Sequence, residues 1–485
     1  MADRYFTTTL PYVNSVPHLG HALEFIQADC LIRHFRLKGD NVFFNTGTDE
    51  HGLKVYRKAE EQGMDPQGYV DTYAEQFKKF CNKIAMSYDA FIRTSDPKHK
   101  NAAQEIWKRC YANGDIYKKE YTIKYCVGCE LEKTDSELVD DKCEIHSNLE
   151  LELINEENYF FRFSKYQDRL LELYDKYPDF VIPASRQKEI REFVKRGLQD
   201  FSISRLRSKM PWGVPVPGDD DHVMYVWFDA LVSYISTLDW PQDNKLFDQY
   251  WGTIDNPIAM QFAGKDNLRQ QSAMWQSMLL SAGLPNSRRI FIHGYINTHG
   301  QKMSKTLGNV IDPVELIDTY GLDATRFWLL HDISPVEDGD FVLEKFKDSI
   351  NGNLANGIGN LVSRVYTMAE KYGVFIPRPD VKYENTALDE YDIQGGIKYV
   401  LAKAASIDKT IAETEPFKVF KTDPAKAKEI VAQLVVRVYE IAILIEPFLP
   451  GFSAKTLDLF EGKVDKALVL PLFPKVESAY SVDRR

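Results

Sequence analysis

No stretch of this 485-residue chain is apolar for long enough to cross a bilayer. Its most hydrophobic run, Ile430 to Leu449, is broken by Arg437, Glu440 and Glu446, where a spanning helix needs about 20 apolar residues. A leader-like start is missing as well, because the charged pair Asp3-Arg4 runs straight into the polar, strand-like segment Tyr5 to Thr9. Positive charge is in short supply: 60 Lys and Arg stand against 71 Asp and Glu, a formal net charge of −11. That balance excludes a protein that coats nucleic acid indiscriminately, since such binding is phosphate neutralisation, and argues against DNA as a partner. A local polar or basic surface for RNA stays open. Cysteine is scarce, six in all, and unevenly spread. Cys126, Cys129 and Cys143 crowd into eighteen residues beside His146, while Cys30, Cys81 and Cys110 stand apart. Such clustering without a leader points to metal rather than disulfides, and to a reducing, cytoplasmic compartment.

What is present is an ordinary globular composition, 44% apolar and 13% aromatic. It rules out disorder and supplies enough apolar surface for about three domains. The opening reads as a strand (Arg4 to Thr9), a turn (Leu10 to Pro17), a helix (His18 to Leu37) and a second strand (Asn41 to Thr46). This β-α-β unit predicts a parallel sheet. From about Ile116 to Pro217 the pattern is irregular, and then alternation resumes with strands at His222 to Trp227, Ile258 to Phe262 and Ile290 to His293. Beyond about Phe341 apolar residues recur at steps of three and four, as in Leu354, Ile358, Leu361, Val365 and Met368. A later helix begins at Asp423-Pro424, a good cap and first-turn pair, and stops at Pro447. The expected fold is α/β: a Rossmann-like doubly wound parallel sheet, interrupted by an insertion and followed by an all-α bundle.

Two segments carry the chemistry. His18-Leu19-Gly20-His21 sits where the first strand hands over to the first helix. A helix N-terminus offers free N–H groups and partial positive charge, and imidazoles three residues apart share its first turn. The loop after the strand Ile290 to His293 contains Gly294, Gly300 and then Lys302-Met303-Ser304-Lys305-Thr306, and two lysines there can neutralise charge on a polyphosphate. Taken singly, paired histidines are as often caps, and basic loops are commonly just solvated. Together they are far more specific.

At this point the chain resembles the class I aminoacyl-tRNA synthetases, whose two signatures look like these segments, and among them most closely the methionine-specific branch. The likeness extends to Leu10-Pro11-Tyr12, Gly47 to Gly52, Tyr225 to Ala230, Gly264-Lys265-Asp266 and Gly308 to Pro313, in the family's order. It implies activation of L-methionine by ATP, with Mg²⁺ held mainly by phosphate and water, and then transfer of the methionyl group to the terminal adenosine of tRNA(Met). By this resemblance His18, Gly20, His21, Gly264 and Asp266 bind ATP, with Asp266 on the ribose, and Lys302 and Lys305 clamp its β/γ side. His18, His21, Lys302 and Lys305 are then the catalytic set. Leu10, Tyr12, Asp49, Trp227, Leu231, Tyr234 and Gln271 would form the methionine site. Where many members carry Phe-His, this chain has Gln270-Gln271, so a site more polar on one side is expected.

Cys126-Val127-Gly128-Cys129 and Cys143-Glu144-Ile145-His146 are two ligand pairs, each spaced by two residues. Three thiolates and an imidazole complete a closed tetrahedral zinc site with no open position, so one structural Zn²⁺ is expected. The short insertion that holds it argues against a large editing domain. Asn353, Asn356, Asn360 and Arg364 fall on one face of a glycine-weakened helix. Amides and a guanidinium on such a face suit the exposed edges of loop bases, although a solvated face fits equally. The family likeness implies anticodon reading by Asn356, Asn360 and Arg364, with Phe417 where the family usually has tryptophan.

The expected organisation is residues 1–115, first half of the catalytic domain; 116–217, zinc-bearing insertion; 218–295, second half; 296–350, lysine-signature loop and stem-contact region; and 351–485, helical anticodon-binding domain. A monomer is expected. The rival readings are a class I synthetase with altered amino acid selectivity, a non-catalytic tRNA-binding paralogue, and a nucleotidyltransferase sharing only the first signature.

Overall fold

The computed structural model of the chain describes residues 1–129, 131–133, 138–303 and 309–477. Its centre is a six-stranded, all-parallel sheet made of β1 (Asp3–Thr7), β2 (Asn41–Thr48), β3 (Ala90–Arg93), β4 (Val181–Ile182), β5 (Met260–Gly264) and β6 (Arg289–His293). The spatial order is β3-β2-β1-β5-β6-β4. Strand order switches direction between β1 and β5, and in open parallel sheets the crevice at the carboxyl ends beside such a switch is where ligands bind.

Around the sheet run α1 (Leu19–Leu37), α2 (Pro97–Ala112), α3 (Leu322–His331), α4 (Gly359–Tyr372), α5 (Ile393–Thr414), α6 (Pro424–Leu444) and α7 (Pro450–Phe460). Helix α1 is buried on nearly every side, because it is wedged between the sheet and the helical part of the chain. One apolar core accordingly runs without a break from Phe6, Leu23 and Phe262 through Phe327 and Trp328 to Leu361, Ile397 and Val438. A second core covers the other face of the sheet, around Trp107, Phe228, Trp251 and Trp275. At the junction of α1 and α3, the fully buried Arg326 pairs with the equally buried Asp29 at 2.9 Å. Its guanidinium also donates to the carbonyl oxygens of Phe448 and Pro447 at 2.8 and 3.0 Å.

Two sequence expectations change. The strand placed at His222 to Trp227 is Asp219–Met224, and it pairs antiparallel with Ser204–Leu206 and Pro215–Val216 in a small separate sheet. Trp227 lies on the short helix Val226–Ala230. Moreover, β4 falls inside the stretch read as an insertion yet forms the edge of the central sheet. The remainder of that stretch is built on a long antiparallel pair, Ile116–Cys126 with Glu152–Phe161. Helix α6 starts as expected, with the Asp423 side chain accepting from the N–H of Lys426 at 2.9 Å ahead of Pro424. No helix among the described residues is long and apolar enough to cross a membrane.

Candidate active site and metal centre

A cavity of about 560 Å³ opens at the carboxyl ends of β1, β2, β5 and β6. Three of its walls come from the segments that leave these strands: Thr9 to Tyr12 after β1, Gly264 to Gln271 around the end of β5, and His293 to Ile296 after β6. The start of α1 closes it with His18, Gly20 and His21, and Met303 and Val310 line it from either flank of the lysine signature.

The histidine segment is held by its own side chains. His18, in extended conformation, caps α1: its Nδ1 accepts from the Gly20 N–H at 3.1 Å, while His21 Nδ1 accepts from the His18 N–H at 3.2 Å. The two rings stack with centroids 3.8 Å apart. A neutral imidazole whose Nδ1 accepts carries its hydrogen on Nε2, so both rings are in the tautomer that donates to a phosphate oxygen. The capping and the phosphate-binding readings of this motif are therefore compatible. The Leu19 N–H donates to the carbonyl oxygen of Ile311 at 3.3 Å, which brings the sequence following the lysine signature against the histidine signature. Gln301–Lys302 pairs antiparallel with Ile296–Thr298. The side chain of Lys302, and Ser304 to Gly308 with Lys305, lie outside the described residues.

At the end of β5 a Cβ on Gly264 would stand 2.7 Å from an Asp266 carboxylate oxygen, so glycine is what lets Asp266 fold back towards the cavity. Of the residues expected to hold methionine, Leu10, Tyr12, Asp49, Trp227, Leu231, Tyr234 and Gln271 all line the same cavity. Tyr12 and Asp49 are bridged across their loops, and the Tyr12 ring meets Trp227 edge-on at 6.3 Å. Gln271 is spent internally: its Nε2 donates to the Tyr234 hydroxyl, and its Oε1 accepts from Gln261 at 3.2 Å. Gln270 also lines the cavity, buried, with its Oε1 unpartnered among the described residues.

Sequence reading missed the groups beneath this site. Asp229, fully buried, receives His51 Nδ1 at 2.5 Å on one oxygen and His99 Nε2 at 2.6 Å on the other. Burial alone would raise its pKa, but the two imidazoles outweigh that and hold it at about 2. Because Asp229 follows Trp227 by two residues and His51 follows Asp49 by two, this bridge fixes the spacing of the cavity wall. Glu24 and His293 are the other unanticipated pair in the wall. A charged residue inside an otherwise buried helix was the only signal Glu24 gave.

The metal cluster borders the same cavity. The ligand atoms of Cys126, Cys129, Cys143 and His146 all lie within 4.8 Å of one another. Cys129 Sγ is 3.4 Å from Cys143 Sγ and 3.1 Å from His146 Nδ1, and Cys126 Sγ is 3.9 Å from that nitrogen. A tetrahedron with bonds of about 2.3 Å to sulfur has edges of roughly 3.8 Å, so the donor set and its size fit a zinc ion. A Cβ on Gly128 would press to 2.6 Å from the His146 ring. Cys129 and His146 also line the cavity.

The helical end carries the expected tRNA-facing residues. Asn356, Asn360 and Arg364 are exposed, and so is Phe417, at 48%. The helix leading to them is wound wide over Ile350–Ile358 and kinks at Gly357. Arg364 pairs with Asp408 at 2.8 Å. Asn353 does not stand free, since its amide donates to Ser349 at 3.3 Å.

A parallel sheet whose carboxyl-end cavity is bordered by stacked histidines on one side and the flanks of a lysine loop on the other has the build of a class I synthetase. The profile of the family tRNA synthetases class I (M) matches residues 4–143 and 129–366. The methionine–tRNA ligase of Mesorhizobium japonicum is 40% identical over 482 residues, covering 95% of this chain and 92% of that protein. The Nostoc methionine–tRNA ligase is 40% identical over 93% of this chain and 89% of its own length. Among solved structures, Mycobacterium tuberculosis methionyl-tRNA synthetase in complex with methionyl-adenylate superposes with a TM-score of 0.87 at 35% identity, covering 94% of each chain. The chain belongs to the methionyl-tRNA synthetase family.

Proposed function

We propose that the chain is a methionine–tRNA ligase. In the first step a carboxylate oxygen of methionine attacks the α-phosphorus of ATP, and pyrophosphate leaves. In the second, a ribose hydroxyl of the 3′-terminal adenosine of tRNA(Met) attacks the acyl carbon, and AMP leaves. Little covalent work falls to the protein; alignment and charge stabilisation carry the rate. His18 and His21 donate through Nε2 to phosphate oxygens at the positive end of α1, where no acidic side chain occupies the first turn. Asp266 takes the ribose, and Lys302 and Lys305 close on the pyrophosphate side, with Mg²⁺ arriving on the nucleotide. Asp49, buried at the end of β2, takes the substrate ammonium. Leu10, Tyr12, Trp227, Leu231 and Tyr234 enclose the thioether chain in an aromatic slot.

Cys126, Cys129, Cys143 and His146 would hold zinc in a closed, four-ligand site that orders the insertion rather than reacting. Asn356, Asn360, Arg364 and Phe417 read the anticodon, the ring by stacking on a base. The observation that carries this reading is the single cavity shared by His18, His21, Asp266, Asp49 and Met303. It is tested by methionine-dependent ATP–pyrophosphate exchange, run with each amino acid separately and repeated with His21→Ala and Lys305→Ala. Methionine alone should support exchange, and both variants should lose at least about a hundredfold in rate. Full rate in both variants would refute the catalytic assignment.

A further inference from the structure

Glu24 lies one turn beyond His21 on α1 and is buried. Its Oε1 accepts from both the backbone N–H and the hydroxyl of Thr9, each at 2.6 Å, at the point where the chain leaves β1. Its Oε2 meets His293 Nε2 at 2.9 Å. His293 closes β6, and its Nδ1 lies 2.7 Å from the carbonyl oxygen of Gly294. A carboxylate and a carbonyl only accept, so each ring nitrogen must donate, and only the imidazolium has two N–H groups. Burial opposes that charge, but the hydrogen bond and charge of Glu24, followed by Gly294, outweigh it and raise the His293 pKa.

Two carboxylates face the ring: Glu24 from α1, and Asp266 from the turn after β5. Tyr295 lies two residues further along the chain, and Lys265 is drawn off to Asp338 at 2.7 Å. Both Glu24 and His293 line the cavity, 269 positions apart in sequence.

We propose that His293 and Glu24 are a positioning pair for methionine activation, setting the register between the histidine signature and the loop that runs from Gly294 to the lysine signature. The pair rests on the methionine–ATP reaction proposed above. Neither residue exchanges a proton with substrate. Glu24 anchors the first turns of α1 to the exit of β1, and His293 ties that anchor to the strand from which the lysine loop departs. A nucleotide seated between the histidine signature and the strand end at His293 is therefore bound at a spacing this bridge defines. The bridge has both hydrogen bonds and its ion pair while His293 is protonated. As the pH rises through the raised pKa the ring keeps one N–H of two and loses its charge, so the bridge weakens and nucleotide use should weaken with it on the alkaline side.

The experiment is methionine-dependent ATP–pyrophosphate exchange as a function of pH, with the full chain carrying zinc. Wild type should show an alkaline limb in kcat/KM for ATP. Glu24→Gln removes the group that most raises the pKa, so the limb should move to lower pH. His293→Gln keeps a neutral donor towards Glu24 and should abolish the limb while retaining most of the activity at low pH. His293→Ala should raise KM for ATP about tenfold and leave KM for methionine within about twofold. Unchanged limbs in both Gln variants, or equal losses for the two substrates, would mean that the pair only holds the fold together and would overturn the proposal. No exchange with methionine in wild type would overturn the reaction itself and the pair with it.

Discussion

Lys54 reaches from the start of the helix Leu53–Glu61 to donate to the carbonyl oxygen of Gly128 at 3.3 Å, joining the catalytic body to the first turn of the metal knuckle. With Cys129 and His146 in the cavity wall, the knuckle cannot loosen without the cavity changing shape.

Metal removal should therefore reach the reaction as well as the fold. The purified chain should carry one zinc per molecule by elemental analysis, and Cys143→Ser should lose it. Binding free energy at such sites is folding free energy, so the variant should melt earlier and exchange pyrophosphate more slowly. Gly128→Ala, which crowds the His146 ring, should behave as a milder version. Full metal content and full rate in Cys143→Ser would refute the ligand set.

Gln270 offers a test of selectivity. Its carboxamide oxygen, unpartnered among the described residues and set in the cavity wall, should accept a hydrogen bond from a donor-bearing ligand or a water, and an apolar slot would discard that partner. Gln270→Phe should raise the preference for methionine over its hydroxyl-bearing analogue homoserine, whose O–H can donate to that oxygen, by about tenfold as a ratio of kcat/KM values, the equivalent of one hydrogen bond. Gln271→His should instead disturb Tyr234, whose hydroxyl Gln271 binds. An unaltered ratio in the double variant would remove any role for this pair in selectivity.

Asp229 makes an acid-side prediction. Its folded pKa of about 2 lies below the value of about 3.9 expected in the unfolded chain. The stability it contributes is present above the unfolded value and is lost as pH falls through the folded one, so the relevant window is about pH 4 down to 2. Asp229→Asn should flatten urea-measured stability across that window. It should also cost about 3 kcal/mol at neutral pH by stranding two buried imidazoles, and raise KM for methionine through the neighbouring Asp49 and Trp227. A variant as stable as wild type would show that the bridge carries no weight.

For the helical end, Asn360→Ala and Phe417→Ala should each raise KM for tRNA by roughly tenfold, the scale of losing one stacked or hydrogen-bonded base. Pyrophosphate exchange, which needs no tRNA, should move far less. Equal effects on both assays would point to damage in the bundle instead.

What the sequence made legible was local. The two histidines on one helical turn, the paired metal ligands and the Asp423-Pro424 cap each declare themselves within a few residues. The early end of the strand at Met224 was hidden because Val226, Phe228 and Ala230 continue an apolar pattern that a short helix satisfies as well as a strand. Strand β4, two residues long, was too short to leave any periodicity in the irregular stretch around it. His51, His99 and Asp229 meet across 178 and 130 positions, and no periodicity records which buried polar groups face one another. The family likeness supplied the contents of the cavity wall; the groups behind it came only from the fold.

Arg326 ties the two parts of the chain together thermodynamically. Its charge is neutralised by Asp29 on the catalytic side, and its guanidinium also donates to the carbonyls of Ile84 on that side and of Pro447 and Phe448 on the helical side. Cutting the chain between these parts would keep the Asp29–Arg326 pair in the first fragment, but it would strip N–H groups of Arg326 of their partners and leave the carbonyls of Pro447 and Phe448 unpaired at a newly wetted apolar face. With one apolar core running through both, the two parts should melt together in a single transition.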